Sequence, residues 1–290
     1  MNADPIPAVR EEDAVGATAE IFADLRATLG LPFVNLIWRH LATVPDALPA
    51  VWSAVRPLYS TAELAGLATG ISARARPDGV APVPGEVWAT LGVDEAARVD
   101  IADLVDFYNR ANTINFLVFT TVDALLRGES RPPDPGRRLA SSGAPAGAGA
   151  GPSGVPPLPP VDALSPDLRA VVQACDELGR LGSSTAHASL YRHLALWPPF
   201  LATAYVALAP LHRSGALQAA QRDLIDFARP TCADRLLPLL APARPALDEG
   251  VRSRIRSVVE EFASIMIGRM VVAGTVMRAL LPVPEEAAAR

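Results

Sequence analysis

An eight-residue pattern occurs twice in this chain, on either side of a stretch that lacks the side chains to build a core. Trp38-Arg39-His40-Leu41-Ala42-Thr43-Val44-Pro45 in the first half matches Tyr191-Arg192-His193-Leu194-Ala195-Leu196-Trp197-Pro198 in the second. Each copy is followed by a Pro-Leu pair, at Pro57-Leu58 and at Pro210-Leu211, and residues 107–126 resemble residues 262–281 near the end of each half. Between the copies, residues 128–160 read GESRPPDPGRRLASSGAPAGAGAGPSGVPPLPP and carry nine prolines. Such a segment cannot bury enough surface to offset its ordering entropy. The expected organisation is therefore helical repeat 1 over residues 1–128, a flexible Pro/Gly-rich linker over 129–160, and helical repeat 2 over 161–290. The two repeats are expected to pack as one unit, with a shared pocket where they meet.

Within each half the apolar period is helical. Ala19, Ile21, Phe22, Leu25 and Leu29 form one stripe, ended by Gly30 and Pro32. Leu168, Val171, Val172, Cys175, Leu178 and Leu181 form its counterpart, opened by Ser165 as cap and Pro166 in the first turn. Residues 99–126 and 251–281 read as longer buried helices. Nothing alternates apolar and polar over enough residues to call a sheet, and aromatics are only 6%. The fold class is all-α, built as two pseudo-symmetric helical repeats.

Composition removes several chemistries. All 26 basic residues are arginine, so Schiff bases, pyridoxal phosphate attachment and the phosphate-binding lysine of a P-loop are excluded. The net charge of −5 argues against nucleic acid or an anionic membrane as partner. Residues 265–281 and 197–211 are the most apolar stretches, but charges or prolines interrupt both before membrane-spanning length. Two cysteines, Cys175 and Cys232, make neither a disulfide framework nor a zinc site. None of His40, His187, His193 and His212 has metal-ligand spacing, so no metal is expected. The first residues lack the basic and apolar parts of a signal peptide, and a soluble, cytoplasmic protein is expected.

Three groups of polar residues are candidates for chemistry. Arg39 and Arg192 could grip an anion through the planar fork of the guanidinium, or each Arg-His pair could open or cap a helix. Asn112 and Asn115 stand one helical turn apart, with Tyr108 a turn earlier, in an otherwise apolar run. Asparagine there needs a partner, which could be a ligand or an interhelical hydrogen bond between the repeats. In Gly182-Ser183-Ser184-Thr185-Ala186-His187-Ala188-Ser189-Leu190, His187 is the side chain able to take a proton near neutral pH, or it is a surface residue. Ser189 has no evident Ser-His-Asp arrangement.

The segments PFVNLIWRHLATVP, FYNRANTINFL and ASLYRHLALWP, with the duplicated helical layout, resemble the group I 2-haloacid dehalogenases. The resemblance implies an all-helical pseudo-dimer that associates as a homodimer. It implies hydrolysis of a 2-haloalkanoic acid, a small carboxylic acid, by water that an aspartate activates. Halide leaves with inversion at Cα, no covalent ester forms, and no metal or organic cofactor takes part. Residue by residue, the active-site asparagine corresponds to Asn112, and a usually aromatic position one turn on falls at Asn115. The aromatic pocket wall falls at residues 35–38, with Asn35 and Trp38. The small-Ser-Asp triplet becomes Ala188-Ser189-Leu190, so Leu190 stands where the catalytic aspartate would. Between Glu177 and Asp223 there is no Asp or Glu at all.

General-base catalysis supplies roughly 10²–10⁴-fold, and leucine cannot hydrogen-bond water. Three readings follow. The first is a hydrolase acting on carbon–halide bonds in which His187 or another residue replaces the aspartate. The second is a catalytically impaired or divergent relative that binds a small apolar acid or metabolite in the pocket. The third is a helical interaction module.

Overall fold

A computed structural model describes residues 6–129, 156–181, 188–243 and 248–282. Among the described residues every regular element is helical.

In the first half a 3₁₀ turn, Glu11–Asp13, leads into α1 (Gly16–Leu29), α2 (Leu36–Leu41), α3 (Ala47–Val55), α4 (Ala62–Arg74), α5 (Gly85–Thr90) and α6 (Glu95–Leu126). The second half holds α7 (Pro166–Glu177), α8 (Ser189–Leu194), α9 (Pro198–Arg213), α10 (Ala216–Arg235), α11 (Glu249–Glu260) and α12 (Gly268–Ala279). Two of the caps, Gly30 and Ser165, are those read from the sequence. Gly30 closes α1 in the left-handed region at φ 63°, where a Cβ would be strained. Ser165 accepts from the Leu168 amide to open α7, Thr61 accepts from Leu64 to open α4, and Asp94 accepts from Ala97 to open α6.

The 32-residue α6 is the axis of the molecule, about 48 Å long at the helical rise. From Thr113 to Ala124 every residue on it is buried, so it must be surrounded. It packs against α4 of its own half and against α10, α11 and α12 of the other. Burial of these apolar faces at ~25 cal/mol per Å² stabilises the contact between halves in the same way as each half's interior.

Four expectations need correction. Helix α7 stops at Glu177, so Leu178 and Leu181 lie beyond it in the turn that Gly179 makes at φ 70°. Residues 251–281 are not one regular helix: Glu261–Ile267 is π-helical between α11 and α12. The Arg-His pairs neither open nor cap their helices; both sit in the last turn, of α2 and of α8. The expected linker reaches too far, because Pro156, Pro157 and Leu158 are packed into the wall of a cavity. Residues 130–155 of that linker lie outside the described residues.

The continuous run Glu249–Ala279 is long and apolar enough by composition to cross a bilayer, with mean hydropathy 1.3 in its most apolar window. That window is 76% buried inside the protein, which makes it a core element here.

Candidate functional site

The cavity has a volume of about 370 Å³, within the range of small-molecule sites. One side comes from the loop and helix around α2 (residues 32–37 and Arg39), with Glu11 beside them. Tyr108, Asn112 and Asn115 of α6 form the floor, and Ala188, Ser189, Leu190 and Arg192 of α8 face α2. Phe262, Met266, Ile267 and Met270 complete it from the π-helical segment and the start of α12, and the Pro156–Pro157–Leu158 stretch lies over the second half's side. A π-helical turn shifts the register of the side chains it carries, and such turns are frequent at functional sites.

The structure thus brings Asn35, Tyr108, Asn112, Asn115, Ser189 and Leu190 to one space. Trp38 is a correction: it is fully buried behind the wall, against Trp52 and Phe119 rather than in the cavity. Its indole Nε1 donates to Asn115 Oδ1 at 3.4 Å. His187 lies outside the described residues.

The two asparagines differ in what holds them. Asn115 is 1% exposed, and its Oδ1 accepts from Tyr59 Oη at 3.2 Å as well as from Trp38. Its Nδ2 donates to Asn35 Oδ1 at 3.1 Å. All three partners belong to the first half, so Asn115 organises that half and does not bridge the two halves. Asn112 makes no hydrogen bond among the described residues, and its amide is free to meet a ligand.

At the cavity, Tyr108 bridges the two halves. Its Oη lies 3.2 Å from His193 Nδ1, and His193 Nε2 lies 2.7 Å from the Pro156 carbonyl. Burial pulls the His193 pKa below its ordinary value, the Pro156 hydrogen bond opposes this, and Arg192 adds to the lowering. A neutral imidazole facing a carbonyl must carry its proton on Nε2, so Nδ1 accepts from the Tyr108 hydroxyl. Burial also raises the Tyr108 phenol far above its usual range, against the pull of Arg192 and Arg39. The phenol stays neutral and donates.

The N-terminal edge of α8 is fixed from behind. Asp176, 1% exposed, accepts from the Ala188 amide at 3.0 Å, just before Ser189 and Leu190. Arg269, 4% exposed, donates to the Asp176 carbonyl and places Nη2 3.5 Å from its carboxylate. This pair holds the backbone that presents Leu190.

Glu11 is the one carboxylate among the described residues that line the cavity. Its Oε2 accepts from Arg26 Nη1 at 2.6 Å and its Oε1 from the Val34 amide at 2.7 Å. No sequence signal marks Glu11, since the turn that carries it has no periodicity. Phe262 and Met266 were readable in principle, because residues 262–281 match the stretch that supplies Asn112. Cys175 and Cys232 are free and buried, their thiols pushed up to about 12 by burial, which leaves them unreactive.

No family model matches the sequence, and no curated protein matches it. Solved structures do. The complex of a D-2-haloacid dehalogenase mutant with D-2-CPA is similar at TM-score 0.77 and 20% identity, over 96% of this chain and 97% of that one. A crystal structure of a D-2-haloacid dehalogenase mutant gives TM-score 0.77 at 21% identity, over 96% of each chain. The complex of a D-2-haloacid dehalogenase with L-LA gives 0.78 at 20%, again over 96% of each. The chain has the fold of these dehalogenases along almost its whole length.

Proposed function

We propose that this protein binds a small carboxylic acid in the cavity between its halves, as a dehalogenase-like protein that has lost the carboxylate needed to activate water. The observation that carries this reading is Leu190. It is 1% exposed and lines the cavity beside Ser189, at the position that corresponds to the catalytic aspartate of the group I 2-haloacid dehalogenases. A methyl-tipped side chain there can shape an apolar wall but cannot take a proton.

Two features favour binding over hydrolysis by another base. Glu11, the carboxylate in the wall, already has both oxygens engaged by Arg26 and Val34. Tyr108 is a neutral phenol that donates its hydrogen bond to His193, so it is not a base for a bound water. The lining also holds Asn112 on the floor, Ser189 at the start of α8, Arg39, Arg192 and apolar walls. That set orients an acid.

The test compares the wild type with Leu190→Asp on racemic 2-chloropropionate. The wild type is expected to release halide at background and to melt at higher temperature with added acid, following RT ln(1 + [L]/Kd). Leu190→Asp is expected to gain halide release. Rapid chloride production by the wild type would overturn the loss of chemistry, and the absence of any acid-induced rise in Tm would overturn the binding reading.

A further inference from the structure

We infer that a second binding site lies on the far side of α6, in a groove that takes an organic phosphate with a hydroxylated body. It is separate from the acid cavity and does not depend on Leu190.

The groove has a volume of about 980 Å³ and runs between α4, α6 and α12, with Pro82 also in its wall. At about 100° per residue, Asp106, Arg110 and Thr113 fall on the face of α6 opposite to Tyr108, Asn112 and Asn115. No described residue lines both spaces. The α4 wall is built on Ala65, Ala68 and Ala73, whose short side chains leave the space open.

Four charged side chains line the groove among the described residues: Arg76, Arg110, Arg278 and Asp106. Asp106 is matched by Arg278, whose Nε donates to it at 2.9 Å. Arg76 gives Nη2 to the Val80 carbonyl at 2.7 Å and has no ion pair among the described residues. Arg110 has neither kind of partner. Its Nε and Nη2 are buried without a hydrogen bond among the described residues, and its guanidinium carbon stands 5.9 Å from the Phe107 ring centre. A buried guanidinium N–H left unpaired is costly, so its partner is to be sought outside the fold. Three guanidiniums against one carboxylate leave two positive charges, which the phosphate of a monoester nearly balances at neutral pH. Its terminal oxygens also suffice for more than one guanidinium at once.

The rest of the polar wall asks for donors. Thr69, Ser72 and Thr275 each give their hydroxyl proton to the carbonyl one turn back on their own helix, at 3.3, 3.2 and 2.8 Å. What such an oxygen has left is lone pairs, which accept from the hydroxyls of a ligand. Thr113 is 2% exposed, lines the groove and makes no hydrogen bond among the described residues. Its hydroxyl is a second buried group that a ligand would satisfy. A cationic patch beside a row of acceptors describes a ligand with phosphate at one point and hydroxyls along its body.

The experiment is calorimetric titration of the full chain with glucose 6-phosphate, inorganic phosphate, glucose and tartrate. Glucose 6-phosphate is expected to bind at least about tenfold more tightly than inorganic phosphate or glucose, since each of these lacks one set of contacts. Arg110→Gln is expected to weaken it about tenfold to a hundredfold, the worth of a charge-assisted contact. Arg110→Lys, which keeps the charge, should recover part of that. Cooperative melting of both variants shows that they fold, and their affinity for 2-chloropropionate should match the wild type's. Equal binding of inorganic phosphate overturns the hydroxylated body. Equal binding of tartrate, a hydroxylated dianion without phosphorus, overturns the phosphate. Glucose 6-phosphate binding that survives Arg110→Gln unchanged overturns the groove as its place. No binding of glucose 6-phosphate overturns the site, whatever becomes of acid binding beside Leu190.

Discussion

Tyr108 and His193 form a buried hydrogen bond across the two halves, the phenol on α6 donating over 3.2 Å to an imidazole at the end of α8. The imidazole passes the restraint on to the Pro156 carbonyl at 2.7 Å, so three separate parts of the cavity wall are tied in series. Such a chain holds only while the imidazole is neutral. Protonation at Nδ1 would remove the acceptor that Tyr108 uses and would add a cation close to Arg192.

This gives a pH prediction. The folded-state pKa of His193 lies below the ordinary value of 6.5, so the unfolded chain binds more protons as the solution is acidified through that value. Stability contributed by neutral His193 is present above about pH 6.5 and is lost as pH falls toward the folded pKa. Melting curves between about pH 7.5 and 5.5 should show a steeper fall in Tm for wild type than for His193→Gln, whose side chain cannot titrate. Parallel curves would show that the imidazole carries no such linkage.

Much of this arrangement was legible beforehand for definite reasons. Helical period placed α1, α6 and α7, and cap chemistry marked the end of α1 at Gly30 and the start of α7 at Ser165, because each answers a local backbone need that the sequence states outright. The polar residues of α6 were legible because asparagine in an apolar run must have a partner. What stayed hidden depends on long-range contact. Trp38 reads as a pocket aromatic, yet its indole turns inward to Asn115. Arg39 and Arg192 read as helix-end residues or as anion-gripping ones, and the cavity that both line is visible only in the folded chain. Leu158 sits in a proline run that composition alone assigns to a linker.

A second prediction concerns the buried Asp176–Arg269 pair behind α8. Removing one member of a buried pair leaves an uncompensated charge, which costs about 3–5 kcal/mol. Arg269→Met should therefore destabilise by that amount in urea unfolding. Asp176→Asn in the same chain should recover part of the loss, since it removes the charge that faced Arg269 and keeps an oxygen for the Ala188 amide. Additive losses in the double variant would mean that the two residues act independently.

The crossing of α6 and α12 supplies a third. A Cβ on Gly274 would lie 1.9 Å from Asn109 Oδ1, and its three nearest neighbours all belong to that one side chain. Overpacking costs about 1–3 kcal/mol, while alanine for glycine inside a helix gains up to about 1 kcal/mol. Gly274→Ala should thus be neutral to destabilising in the wild type and stabilising in an Asn109→Ala background. The sign reversal, measured as a double-mutant cycle, is the diagnostic. The same sign in both backgrounds would place the obstruction elsewhere.

The last prediction separates the two asparagines of the cavity floor. Asn115 receives hydrogen bonds from Trp38 and Tyr59 and gives one to Asn35, all inside the first half. Asn115→Leu leaves two buried donors and one acceptor without partners, each worth about 1–3 kcal/mol, so a loss of at least about 3 kcal/mol is expected. Tryptophan emission should shift as the Trp38 indole loses its acceptor. Asn112 makes no such bonds, and Asn112→Ala should change stability by less than about 1 kcal/mol. Its effect belongs in the ligand titration, where loss of the amide should weaken acid binding several-fold with Tm of the free protein almost unchanged. If Asn112→Ala instead unfolded the protein while leaving acid affinity intact, the floor of the cavity would be structural throughout. The open face of α6 would then have to be sought at another residue.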